Sequence, residues 1–254
     1  MQPDPANLLS ILDISNPLIG FYDTPDAHLF EPFTTARQCI FSCYQGWLQG
    51  ESTWLSEQNV KAIQCPGAGY WNCNLATVPR EQVAHFLAVQ EGLKASPDLM
   101  CQWLADLPPY SKEHDAVVIG PLRAEQYAYL KTVTFYVNPD QISMLITGAE
   151  YRNASASDHP VTAAYGTGCG QLAAAFGDFD APTAVIGGTD IAMRPYLPCD
   201  TLAFTVTRPM FEHLCRLDEK SFLHKSFWSN VKQARLQPGG MSQPQEIKDE
   251  HQTV

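Results

Sequence analysis

Along the chain, short apolar runs alternate with stretches whose apolar positions recur every three or four residues, the pattern of strands interleaved with helices. Residues 18–22 form a compact apolar run that leaves through the turn-forming Asp23-Thr24-Pro25-Asp26, so it reads as a buried strand. Thr34 is placed to cap a helix running to about Leu48, on which Cys39 and Cys43, four apart, would share a face. Residues 60–63 read as a second strand, delivering Cys65 into the glycine turn Cys65-Pro66-Gly67-Ala68-Gly69. Pro79 opens a helix on which Val83, Phe86, Leu87 and Leu93 follow helical spacing. A further helix around residues 99–104 is cut off by Pro108-Pro109.

Residues 107–114 are the best internal boundary. Beyond them, β-branched or aromatic runs at 116–119 and 133–137 read as buried strands. Asn138-Pro139-Asp140-Gln141 supplies a cap, a proline at the first helical position and a glutamine that can reach back, and Ile142, Leu145, Ile146 and Ala149 mark the buried face that follows. A polar loop at 153–159 leads to the glycine-walled turn Tyr165-Gly166-Thr167-Gly168-Cys169-Gly170 and an alanine-rich helical stretch at 172–176. Strands at 183–186 and 202–207, a helix at 209–217 and an aromatic-rich helix at 222–231 complete the pattern. From Gln237 onward no periodic apolar face remains, which predicts a disordered tail at 237–254. The expected fold is α/β or α+β, a mixed sheet with flanking helices, in one globular domain over residues 1–236 with 1–107 and 115–236 as its two halves.

Composition narrows the partners. The chain carries 16 Lys+Arg against 27 Asp+Glu, a net charge of −11. That balance disfavours nucleic acid and anionic membranes and leaves a small molecule, a metal or another protein. No apolar stretch approaches the ~18 to 20 residues needed to span a bilayer, and no secretory signal opens the chain, so a cytoplasmic location is expected. There thiols stay reduced, and the eight cysteines read as core residues, ligands or reactive groups rather than a disulfide framework.

Cys169 is the leading candidate for chemistry. Small neighbours and a helix start just behind it would favour the thiolate, as a nucleophile or redox group needs. The same residue also fits a small buried hydrophobe at a tight turn. A nucleophile would want a base, and His159 is the attractive local candidate, although a surface histidine is the plainer reading. Cys39, Cys43, Cys65 and Cys73 offer four thiolates to zinc or an iron–sulfur cluster, but no Cys-x-x-Cys knuckle occurs, and Cys43 and Cys73 read as packing residues. Cys101, Cys199 and Cys215 are assigned to the core.

Arg194 follows the strand-ending Gly187-Gly188, where it would clamp a carboxylate or phosphate, or else pair with Asp190 or Asp200. Gly67, Gly69 and Gly168 would present backbone amides to an anion. Neither glycine turn is a Walker loop or a dinucleotide fingerprint, which disfavours ATP and NAD. Tyr70, Trp71 and Tyr165 flank the turns and would either stack on a planar ligand or simply pack.

Several segments in order resemble the bacterial and archaeal family known as domain of unknown function 169. They are Pro17-Leu18-Ile19-Gly20-Phe21, Arg37-Gln38-Cys39, Cys65-Pro66-Gly67-Ala68, Val118-Ile119-Gly120-Pro121-Leu122, Phe135-Tyr136-Val137-Asn138-Pro139-Asp140-Gln141, Gly168-Cys169, Gly187-Gly188 with Arg194, and Pro209. The resemblance runs over residues 14–217. The family tends to place a cysteine and a glycine before the arginine segment, where this chain has Gly187-Gly188, and an acidic residue downstream, for which Asp200 is nearest. It implies no activity, but it groups Cys39, Cys65, Cys169 and Arg194. The expectation that follows is a cysteine-lined pocket between the two halves for a small anionic or planar ligand. Its cofactor is left open among a metal, an iron–sulfur cluster and a tetrapyrrole. In that reading Cys169 is the reactive thiol or axial ligand, Cys39 and Cys65 are ligands or resolving thiols, and a redox role is available. The rival readings are a Cys169-nucleophile enzyme acting on a small anionic substrate and an accessory protein with no ligand.

Overall fold

The computed structural model describes residues 3–63, 67–69, 79–106, 110–165, 169 and 178–236, and the chain divides into two compact units, Met1–Arg216 and Leu217–Val254. In the first unit seven strands, β1 (Ile19–Thr24), β2 (Thr53–Leu55), β3 (Ala116–Pro121), β4 (Leu130–Val137), β5 (Val161–Ala163), β6 (Ala184–Gly187) and β7 (Leu202–Thr207), make one mixed sheet among the described residues. Its order is β2-β3-β1-β4-β7-β6-β5. Neighbours are antiparallel except β5 and β6. β1 lies between β3 and β4, so strands from both sides of the 107–114 segment interleave.

Alternation along the strands sorts side chains to two faces. Ile19 and Phe21 of β1, Val117 and Ile119 of β3, Tyr136 of β4 and Ala203 of β7 enter one buried cluster. Against that cluster pack α2 (Tyr44–Leu48), α3 (Glu57–Ile63), α4 (Arg80–His85) with a π-helical turn at Phe86–Gln90, and α5 (Pro97–Asp106). The other face meets α6 (Pro139–Glu150) and α7 (Arg208–Cys215), with α1 (Ala6–Ile11) against α7. There the Phe135 and Phe211 rings sit 6.2 Å apart. The second unit contributes a 3-10 turn at Phe222–His224 and α8 (Ser226–Leu236). Among the described residues no helix is long and apolar enough to cross a membrane.

The α6 cap forms as its sequence dictates: the Asn138 side chain accepts from the Gln141 amide and the Gln141 side chain accepts from the Asn138 amide. Two expectations need correction. Residues 34–48 are not one helix. Gln38 takes a left-handed φ of 63°, the Cys39 amide closes a tight turn on the Arg37 carbonyl at 2.7 Å, and only a 3-10 turn at Ile40–Cys43 and the short α2 follow. Cys39 therefore precedes the helical turn rather than sharing a helix face with Cys43. Residues 60–63 are the end of α3 rather than a strand. The unread signal was Ser56, whose hydroxyl accepts from the Asn59 amide and whose carbonyl accepts from Val60, starting a helix just upstream. The strand that precedes it is the short edge strand β2.

Candidate functional site

Around the face of the sheet that carries Tyr136, the fold gathers the segments that hold Cys39, Cys43, Cys101 and Cys169. Cys169 is buried, 6% exposed, in the same cluster as Ala68, which sits with Gly67 and Gly69 in helical backbone rather than in the expected turn, and Met193 and Leu197, which flank Arg194. Cys39 is half-buried and packs against that cluster. Gly69 is buried beside the Val60 side chain. Cys65, Gly168, Cys73, Tyr70, Trp71 and the stretch 172–176 lie outside the described residues. Cys43 is a buried packing thiol. Burial pushes its pKa up, against the opposing effect of hydrogen bonds with the Thr53, Thr34 and Ser42 side chains. Cys215 is also pushed up, to about 12, chiefly by burial. Cys199, expected in the core, is exposed instead. It sits in the loop whose carbonyls turn toward Arg194, so its side chain faces away from packing.

Two tyrosines in this cluster, absent from the sequence reading of the site, carry its most telling feature. Tyr44 of α2 and Tyr136 of β4 are 1% and 3% exposed, and their rings meet edge to face with centroids 4.8 Å apart. Neither hydroxyl has a hydrogen-bond partner among the described residues. Burial raises the pKa of both phenols, so at neutral pH each is an uncharged hydroxyl with an O–H to donate. Leaving such a group unpaired costs about 1–3 kcal/mol, and buried polar groups are nearly always satisfied. Among the described residues, two neighbouring hydroxyls in one core are left without a partner.

The rim is set by side chain to backbone contacts. The Tyr165 hydroxyl donates to the Leu93 carbonyl. Its ring stands edge-on to Trp103 at 5.4 Å, with the Lys94 ammonium 4.2 Å from its centre. Arg194 extends its guanidinium into the loop that follows it, donating to the carbonyls of Gly188, Pro198, Cys199 and Thr201 at 2.5–3.2 Å. Its donors hold the chain between β6 and β7, while Gly188 at φ +77° makes the turn, its α-carbon so close to Ala203 that a side chain would meet backbone at 3.0 Å.

Glu91, which closes the π-helical turn through its amide to Phe86, is held above the ordinary glutamate range by burial and by the charge of Asp190. A raised folded-state pKa gives stability that is present below the unfolded value and lost as pH rises through the folded one. Glu91→Gln is therefore expected to be more stable than the parent at neutral pH, with the gain vanishing as pH falls to about 4. Thermal melts from about pH 4 to 8 check this. A gain that is constant with pH, or a loss at neutral pH, would contradict it.

A second cluster lies at the end of β1. Asp23 is fully buried, and each carboxylate oxygen accepts twice. Oδ2 takes the Tyr110 hydroxyl and the Glu113 amide, both at 2.6 Å, and Oδ1 takes the His114 amide at 2.9 Å and His114 Nδ1 at 3.1 Å. Asp23, Glu113 and His114 bring ligand atoms within 4.8 Å of one another, a grouping able to hold a cation. Donors already fill the lone pairs of Asp23, and Glu113 pairs with Lys131 at 2.8 Å, so the cluster acts as a hydrogen-bonding hub fastening residues 110–114 to the central strand. Its sequence signal was the phase of Asp23, two residues past Phe21 on a strand, which puts an acid on the core face. His159, considered as a base for Cys169, lines a separate cavity of about 530 Å³, and Cys169 is not among the residues of its wall.

The model of the family called DUF169, described as an uncharacterised ArCR, matches residues 9–216. No curated protein matches the chain, and no solved structure does.

Proposed function

We propose that this chain, which belongs to the DUF169 family, binds a small, largely planar ligand in the core beside Cys169, with the Tyr44 and Tyr136 hydroxyls donating to its acceptor oxygens. The observation that carries this reading is the pair of buried hydroxyls without partners among the described residues. In a ligand-free protein they are a cost. In a complex they are two oriented donors in an apolar surround, where a hydrogen bond is strengthened by the low local dielectric. The cluster around them joins Cys169, Ala68 and the Arg194 flank, so a ligand there would touch segments that the family resemblance groups together. Because Arg194 spends its donors on four carbonyls, it acts through the loop it shapes. The ligand's polarity then falls to the phenols. Binding is favoured over nucleophilic catalysis because the candidate base, His159, belongs to another cavity.

The test is retention. Protein purified without oxygen is denatured, and the extract is analysed by mass spectrometry for small molecules and by elemental analysis for metals. A stoichiometric species is expected from the parent and from Cys43→Ser, and is expected to be lost from Tyr136→Phe and from Cys169→Ser. A metal in the same ratio that is lost from Cys169→Ser would point to Cys169 as one of its thiolate ligands. A parent protein that releases nothing would overturn the reading.

A further inference from the structure

The cavity that His159 lines has no part in the reading above. It opens where α6 ends and where β6 and α7 begin, with apolar walls from Ala149, Pro182, Pro209 and Met210. Its volume of about 530 Å³ falls in the range of small-molecule sites. Three features of its wall point to an occupant. Thr183, just ahead of β6, has a hydroxyl buried from solvent with no hydrogen-bond partner among the described residues. Its backbone is fully used, the amide donating to Thr207 Oγ1 at 3.1 Å and the carbonyl accepting from the Thr207 amide at 3.0 Å. Arg152, in the turn after α6, lines the cavity and forms no hydrogen bond or ion pair among the described residues. His213 has its orientation fixed by Nε2 donating to the Gly148 carbonyl at 2.9 Å, which leaves Nδ1 uncommitted.

We infer that this cavity is a binding site for a small monocarboxylate with an apolar body, its carboxylate on Arg152 and the Thr183 hydroxyl and its body against the proline and methionine walls. A guanidinium matches a carboxylate with two parallel hydrogen bonds, and the hydroxyl supplies the third donor that a bound carboxylate accepts readily. Asp158 on the same wall sets the charge limit: a second carboxylate on the ligand would meet it, so dicarboxylates are excluded.

The test uses benzoate as probe, benzamide as the uncharged molecule of the same shape and phthalate as the dicarboxylate. Side-chain resonances of His159 and His213 are followed by NMR in the full-length protein. Benzoate is expected to shift both saturably, with benzamide and phthalate each at least about 10-fold weaker. Arg152→Gln is expected to weaken benzoate by about 10-fold and Thr183→Val by about 5-fold, while Arg216→Gln, which removes an arginine already paired with Glu212, leaves it unchanged. Arg152 is exposed, so its loss leaves the fold intact. No saturable shift with benzoate, equal binding of benzamide, or benzoate binding unaffected by Arg152→Gln would each overturn the assignment.

Discussion

Replacing Asp23 with alanine is expected to destabilise the protein by about 3–5 kcal/mol, the size seen when a buried, hydrogen-bonded charge network loses its central member. The carboxylate is at the end of the central strand with no exposure, and four donors converge on it from one short segment. Without it the Tyr110 hydroxyl and two backbone amides lose their acceptor at once, and water has no easy route to replace it. Loosening follows, because Tyr110 stacks edge to face on Phe21 at 5.3 Å and on Phe179 at 5.2 Å. Asp23→Asn keeps one acceptor oxygen but turns an amide toward the remaining donors, so it is expected to lose a large part of the same stability. Equilibrium denaturation of both variants measures this. A loss below about 1 kcal/mol for alanine, the size of an ordinary surface change, would show that residues 110–114 are held by something else.

The second large effect has the opposite sign. Tyr44→Phe and Tyr136→Phe each remove a buried hydroxyl that has no partner among the described residues and keep the ring that packs. In ligand-free protein each is expected to stabilise by about 1–2 kcal/mol, since the desolvation cost disappears and no hydrogen bond is lost. The double variant should gain less than twice that, because the rings touch and neighbours couple. A side chain that weakens the free protein at a candidate site is what a trade between stability and function looks like. Loss of stability on either substitution would mean the hydroxyl is satisfied within the protein, and the ligand argument would fall with it.

Much of the fold was written locally. Core strands such as β3, β4 and β7 announce themselves as β-branched and aromatic runs, and Asn138-Pro139-Asp140-Gln141 forms its reciprocal cap because all the atoms needed lie within four residues. The failures lie where a local signal competes with a weaker neighbour. The apolar run from Val60 looks like a strand until Ser56 is read as a helix cap, and the periodicity across residues 34–48 conceals a left-handed turn at Gln38. Strands β2 and β5 have three residues each, too few to show alternation, and exist because a neighbouring strand offers them pairing.

The site divides in the same way. Cys39, Cys169, Arg194 and the glycines could be named because their residue types are chemically distinctive. That Arg194 would be enclosed by carbonyls 4–7 residues along the chain was not visible, since glycine turns leave no spacing rule to read. Tyr44 and Tyr136 are 92 positions apart, by subtraction of their numbers, and an orphan hydroxyl is a property of what surrounds it. Only the packing of α2 on the sheet brings them together.

The most direct measurement is a high-resolution experimental density map around the Tyr44 and Tyr136 hydroxyls in protein kept free of oxygen from lysis onward. The account expects density for a group that is neither protein nor water, within hydrogen-bond reach of about 2.5–3.0 Å of these oxygens and against the Cys169 turn. Hydroxyls that are instead answered by ordered water or by the protein's own atoms would contradict it.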